Sequence, residues 1–206
     1  MSPLRTTEYL PVAYLPGASG RSNVWEPIAN VLAHRREAFL FAYPGLGDAP
    51  HEEIGSLPDL VHWVASELPE RCDLVALSVG STVALRLALE YPERIRRLVL
   101  VVPCGGMDAE RFGALDWREQ FVSARPFAPR WFVTDDSDLS DRLSLISAPT
   151  LLVLGEDDRI APPAIGEFLL ERLPNAKLEV VSDASHDLEE EHPAFLASLI
   201  EAHLRC

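Results

Sequence analysis

Apolar and polar positions along the chain fall into two alternating textures. One is the short apolar run closed by Gly, Pro and Asn; the other is a longer stretch with apolar residues at helical spacing. Tyr9 to Leu15 is the first run, and Pro16-Gly17-Ala18-Ser19-Gly20 ends it as a flexible turn. Trp25, Ile28, Ala29 and Leu32 then recur as a helix face, with Ser22 or Asn23 placed to cap it. Ala38 to Tyr43 predicts a second strand, closed by Pro44-Gly45-Leu46-Gly47-Asp48. Leu60, Val61, Val64, Ala65 and Leu68 mark one face of a helix over 57–68. Leu74 to Leu77 predicts the third strand. Beyond Ser78 an Ala/Leu/Val-rich helix runs to Tyr91-Pro92, with Arg86 and Glu90 spaced to pair.

The alternation continues. Ile95 to Val102 predicts the fourth strand, with Arg96 and Arg97 near its start, and Asp138 caps a short helix over Leu139 to Ile146. Thr150 to Leu154 and Lys177 to Val181 predict the fifth and sixth strands. A helix ending near Leu173 lies between them, and a helix over Pro193 to Leu204 closes the chain. Such a sequence of strands and helices implies right-handed crossovers and a doubly wound, mainly parallel sheet covered on both faces. Residues 104–137 are different in kind: they hold Phe112, Trp117, Phe121, Phe127, Trp131 and Phe132 but no strand pattern. A connection of that length is usually functional or disordered, and this one is too apolar for disorder, so it reads as a lid.

Composition narrows the class. The 206 residues, 48% of them hydrophobic, suit a single domain with one sizeable core. A net charge of −14 without any Lys/Arg-rich run argues against nucleic-acid binding, which needs cations to neutralise phosphates, and against anionic membrane surfaces. No apolar stretch is long enough to span a bilayer, and Met1 to Glu8 lacks the layout of a signal peptide. Cys72, Cys104 and Cys206 have no zinc-type or CxxC spacing and read as reduced thiols of a cytoplasmic protein. The six histidines are scattered, so no metal or other cofactor is expected.

The candidate chemistry centres on Ser78. A serine between a buried strand and a buried helix sits on a sharp turn with its hydroxyl outward, and the closely passing backbones require small neighbours. Ala76, Gly80 and Ser81 provide them, giving the small-x-Ser-x-small pattern of a nucleophile elbow with Ala for the first Gly. A serine hydroxyl is a weak nucleophile that needs an adjacent base, itself oriented by a carboxylate. In a parallel sheet the strand C-terminal ends share one edge. Ser78 follows the third strand, Asp158 the fifth and His186 the sixth, so all three fall on loops at that edge.

Together with this order, the turns Leu15-Pro-Gly-Ala-Ser-Gly20 and Tyr43-Pro-Gly-Leu-Gly-Asp48, the elbow Ala76-Leu-Ser-Val-Gly80, and Tyr91-Pro-Glu-Arg-Ile95 resemble the alpha/beta-hydrolase superfamily. Ala148 to Pro162 and Asp183-Ala-Ser-His186 extend the likeness over almost the full length. The resemblance implies Ser78 as nucleophile, Asp158 as orienting acid and His186 as general base. Glu156 and Asp157 compete with Asp158, which the Gly-x-x-Asp spacing and Pro162 favour. The Val79 N–H, opening the elbow helix, is one oxyanion donor, and the family places the other after Pro16-Gly17, at Ala18. Pro16 replaces the His common there. Many relatives carry an extra hairpin before the first parallel strand; little chain precedes it here, so a minimal six-stranded sheet with Ala38–Tyr43 and Lys177–Val181 at its edges is expected.

Some features have plainer readings. The acidic run Glu189 to Glu191 is favourable charge at a helix N-terminus. His192 packs or caps the last helix, while His34, His51, His62 and His203 are ordinary surface or helix residues. Cys104 is a small buried thiol that also borders the pocket, and the lid aromatics form that segment's own core, with Trp117 and Trp131 facing substrate. The expectation is a serine hydrolase of acyl esters with a small-molecule, largely apolar acyl substrate, monomeric or weakly dimeric through the Ala38–Tyr43 edge. Carbon–carbon bond cleavage by the same triad, or ligand binding without turnover, are the rivals; a dehalogenase would need a carboxylate at position 78.

Overall fold

The computed structural model describes residues 9–34, 36–46 and 54–205. Expectations for Met1 to Glu8, Gly47, Asp48, His51 and Cys206 lie outside the described residues. The chain runs through β1 (Val12–Leu15), α1 (Glu26–Leu32), β2 (Ala38–Leu40), α2 (Leu57–Glu67), β3 (Cys72–Leu77), α3 (Gly80–Glu90) and β4 (Ile95–Val101). It continues with α4 (Arg118–Ala124), α5 (Trp131–Thr134), β5 (Thr150–Gly155), α6 (Pro163–Arg172), β6 (Ala176–Val181), α7 (Leu188–Glu191) and α8 (Pro193–Arg205).

The six strands form one sheet in the order β2-β1-β3-β4-β5-β6, every neighbouring pair parallel. Among the described residues no hairpin precedes β1, and β2 and β6 are the edges, as the sequence predicts. Every residue of β3 and β5 is buried, which is why they read as unbroken apolar runs, whereas both edge strands are partly exposed. Helix α1 packs against α8 and α2 against α3. From β1 the chain turns outward to β2, and from β3 it proceeds the other way to β4. The order therefore reverses between β1 and β3, and a crevice opens outside their C-terminal ends.

Local departures have local causes. A 3-10 turn over Ser22–Trp25 leads directly into α1, and neither Ser22 nor Asn23 caps the helix with a side chain. The helix expected over Leu139 to Ile146 reduces to a 3-10 turn at Leu143–Leu145. Leu139, Leu143 and Ile146 are buried at the spacing that suggested a helix, but Asp138 Oδ1 accepts the Ser140 N–H at 2.8 Å, diverting the backbone into a side-chain-closed turn. Both early strands are shorter than their apolar runs. Pro11 precedes β1, and past Leu40 the Phe41 N–H still reaches Tyr14 O, at 3.0 Å, before the chain leaves the ladder. The Arg86–Glu90 pair forms, at 3.8 Å.

Opposite the crevice, the strand starts are fastened by charge. Asp73 is fully buried at the start of β3 and accepts from Arg36 Nη1 at 2.9 Å, from Arg96 Nη2 at 2.6 Å and from Arg96 Nε at 2.8 Å. Arg36 and Arg96 also donate to the Leu204 carbonyl, at 2.7 and 2.8 Å, closing the end of α8 against the sheet. His203, expected as an ordinary helix residue, is half-buried with Nε2 3.2 Å from Pro149 O, and burial holds its pKa below the usual value. Replacing Asp73 with Asn leaves two guanidiniums facing a neutral amide. Urea unfolding of Asp73→Asn is expected to show a loss of about 3–5 kcal/mol, the usual cost of breaking a buried ion pair on one side.

Candidate active site

The geometry at Ser78 begins in the backbone. Ser78 has φ 51°, in the left-handed region that L-residues avoid. Flanking bonds hold it there: its N–H donates to Val101 O at 2.9 Å, and its carbonyl accepts from Ser81 N at 2.9 Å and Cys104 N at 3.3 Å. The turn demands Gly80, since a Cβ there would stand 2.3 Å from Pro16 O. The same crowding recurs where β5 ends: a Cβ on Gly155 would lie 2.3 Å from Ala184 O, so the loops carrying Asp158 and His186 are packed backbone to backbone.

These loops bring the three side chains together. Ser78 Oγ lies 2.9 Å from His186 Nε2, and His186 Nδ1 lies 2.8 Å from Asp158 Oδ2. Asp158 has a fully buried side chain, and its Oδ1 accepts the N–H groups of Ile160 and Ala161, both at 2.8 Å. A carboxylate so placed is an acceptor, so His186 donates from Nδ1–H and its Nε2 accepts the Ser78 hydroxyl proton. Glu156 and Asp157 point to solvent and only their backbones engage, at Val181 O and Ala184 O. Position 158 is therefore the one acid of the three in contact with the imidazole.

The turn after β1 abuts the elbow, with a Cβ on Gly17 falling 3.2 Å from that of Ser78. The N–H groups of Ala18 and Val79 donate to no protein acceptor among the described residues, and Val79 has helical dihedrals as α3 begins. Beside Val79 and Thr82 opens a cavity of about 290 Å³. Trp117, Trp131, Phe132, Met107 and Leu57 line it, with Asp108, Glu110, Asp135, Asp136, Asp138 and Arg118 also on its wall. Trp117, Phe121, Phe132 and Trp131 also form a continuous ring cluster, with centroids 5.5 to 6.2 Å apart. The aromatic segment thus has its own small core, three members of which, Trp117, Trp131 and Phe132, reach the cavity. Trp131 Nε1 ties it to Ile54 O at 2.8 Å, and Leu115 N–H ties it to Arg159 O at 2.7 Å.

Cys104 lies next to this cavity but is not part of its lining. It borders a separate void of about 20 Å³, and burial pushes its thiol up to about 12, far from a reactive thiolate. The acidic run after His186 lies in the first turn of α7, as its helix-N-terminus reading expects, and does more than place charge there. Glu191 accepts from Ser185 N and Oγ, at 2.7 and 2.8 Å, fastening the residue before His186. These bonds, the backbone one foremost, hold its pKa below the ordinary carboxylate range. Glu189 is buried with Oε2 unpartnered. Burial pushes its carboxyl up to about 7, aided by Asp187 and opposed by its own N–H and by His186. Sequence alone gives no sign of this, because three consecutive glutamates look alike until α7 turns one inward.

The Glu189 shift has a defined sign. Between the ordinary carboxylate value of 4.5 and about 7 the folded chain keeps a proton that the unfolded chain releases, so stability falls as pH rises through that window. Unfolding by urea at pH 5 and pH 8 is expected to show wild type losing on the order of 2–3 kcal/mol relative to Glu189→Gln across that interval.

The sequence profile of the alpha/beta hydrolase family matches residues 12–141 and 106–199. A pimeloyl-(acyl-carrier protein) methyl ester esterase of Aeromonas hydrophila is 32% identical, over 86% of this chain and 89% of that protein. A 2-hydroxy-6-oxononadienedioate/2-hydroxy-6-oxononatrienedioate hydrolase of Cupriavidus pinatubonensis is 27% identical, over 86% of this chain and 79% of that protein. The crystal structure of a hydrolase from Pseudomonas aeruginosa superposes with a TM-score of 0.79 at 20% identity, covering 98% of this chain and 91% of that one. Profile, relatives and fold coincide over the sheet and the rim bearing Ser78, Asp158 and His186, and the chain belongs to the alpha/beta hydrolase family.

Proposed function

We propose that the chain is a serine esterase that cleaves a carboxylic ester of a small, largely apolar substrate through an acyl-enzyme on Ser78. The observation that carries this reading is the unbroken relay from Ser78 Oγ to His186 Nε2 at 2.9 Å and from His186 Nδ1 to Asp158 Oδ2 at 2.8 Å. As the hydroxyl oxygen attacks the ester carbonyl, its proton passes to Nε2. Asp158 keeps the ring oriented and balances the imidazolium. The N–H groups of Val79 and Ala18 receive the negative charge forming on the carbonyl oxygen, a contribution that is largest where water is excluded. His186 then protonates the departing alcohol. Water, activated by the same imidazole, releases the acid and restores Ser78.

The cavity beside Val79 fits the acyl portion, with Trp117 and Trp131 in contact with it and the aromatic segment acting as a lid. Relatives named as methyl ester esterases support a small alcohol leaving group. A second reading follows from the relative named as a 2-hydroxy-6-oxononadienedioate/2-hydroxy-6-oxononatrienedioate hydrolase, since the same relay suits carbon–carbon bond hydrolysis. The two differ in what accumulates. A p-nitrophenyl acyl ester is expected to give a burst of nitrophenol close to one per active site when deacylation limits turnover. Hydrolysis of a vinylogous diketone, with p-nitrophenyl esters untouched, would select the second reading.

Fluorophosphonate labelling tests the nucleophile. Wild type is expected to react and Ser78→Ala not at all, while Ser78→Ala and His186→Ala each lower kcat/KM at least about a thousandfold. Labelling that persists in Ser78→Ala would contradict the assignment.

A further inference from the structure

The end of α4 reaches back over the active site. Arg125, half-buried just past α4, donates through Nη1 to Ser19 O at 3.0 Å and toward Ala18 O at 3.4 Å. Its guanidinium lies over the Phe121 ring, 5.3 Å from the centroid, which joins it to the aromatic cluster. The two carbonyls belong to the turn after β1. In that turn Gly20 N–H donates to Gly17 O at 3.0 Å. Three successive carbonyls are therefore held, two of them by a side chain arriving from a different part of the chain.

We propose that Arg125 is a positioning residue of the oxyanion site: its grip on the Ser19 and Ala18 carbonyls fixes the turn that aims the Ala18 N–H, and so makes that donor depend on the seating of the aromatic segment. The inference rests on the reading of Ala18 as an oxyanion donor. Ala18 and Ser19 are the central residues of the turn. The peptide that carries the Ala18 N–H is held at Gly17 O by Gly20, and Arg125 holds the next two carbonyls, so the residue bearing the donor is gripped from both sides. A guanidinium is suited to the task, being always charged, planar and rich in donors, and it is steadied here by the ring beneath it. The Trp131–Ile54 bond fastens the same segment to the opposite rim, so Arg125 is presented from a support anchored at more than one point. Its positive charge also favours the negative charge that develops beside the turn during reaction.

The test measures kcat and KM separately for p-nitrophenyl ester hydrolysis, and inhibition by an alkyl boronic acid, whose tetrahedral adduct places an oxygen in the oxyanion site. Arg125→Met is expected to lower kcat about 10–100-fold with KM changed less than about threefold, and to weaken the boronic acid by a matching factor. Arg125→Lys keeps the charge but not the planar donor set, so it recovers part of that loss. A loss in kcat below twofold, a rise in KM with kcat retained, or complete recovery by Lys overturns the proposal. Should Arg125→Met fail to fold, the Lys variant alone carries the comparison, with full activity as its overturning result. Ala18→Pro removes the N–H itself, and adding Arg125→Met to it is expected to cost nothing more; full additivity overturns the coupling. Wild-type activity in Ala18→Pro overturns the donor reading beneath the proposal. An impaired Ala18→Pro beside an unaffected Arg125→Met overturns only the part given to Arg125.

Discussion

The structure depends on how closely two backbones pass at the elbow. β3 ends, the chain reverses at Ser78 through a left-handed dihedral, and α3 begins with its backbone almost touching the turn after β1. Such a crossing costs conformational free energy on the order of 1–3 kcal/mol. The surroundings hold it in place: every residue of β3 is buried, and the buried face of α3 runs nearly its whole length. The strain has a geometric product, because a hydroxyl on a smooth strand-to-helix connection would lie among its neighbours rather than above them.

The two ends of the sheet divide stability from chemistry. At the strand starts, Asp73 gathers two arginines and, through them, the last turn of α8. At the strand ends, one relay of neutral and charged hydrogen bonds is left half-open to solvent, with the imidazole side chain 19% exposed above a fully buried carboxylate. The buried acid is fixed by two backbone N–H groups, and it in turn orients the imidazole above it. Ion pairing that rigidifies the far end leaves the near end free to carry the groups to which the proposed mechanism gives a change of protonation.

Much of this was legible in residue order. The buried strands announced themselves as unbroken apolar runs, and the loop positions of Ser78, Asp158 and His186 follow from parallel topology alone. What stayed hidden depended on side chains choosing between alternatives of equal local merit. Asp138 could have capped a helix, yet it closes a turn. Glu189 and Glu191 look equivalent in the sequence, yet one is buried and the other, still exposed, holds Ser185. The contact of Arg125 with the turn after β1 spans 106 positions of sequence and leaves no local trace. Cys104 shows the same limit, since proximity to the fourth strand does not say which of two neighbouring spaces a thiol borders.

The separation of the relay along the chain carries a consequence for biosynthesis. Ser78 and His186 are 108 positions apart, and His186 follows β6, an edge strand that pairs only with β5. A nascent polypeptide that has already assembled its elbow still holds an ordinary alcohol there, because the imidazole arrives with the final part of the sheet. On the proposed reading, reactivity appears together with completion of the domain, and prematurely terminated products carry the strained serine without its partner.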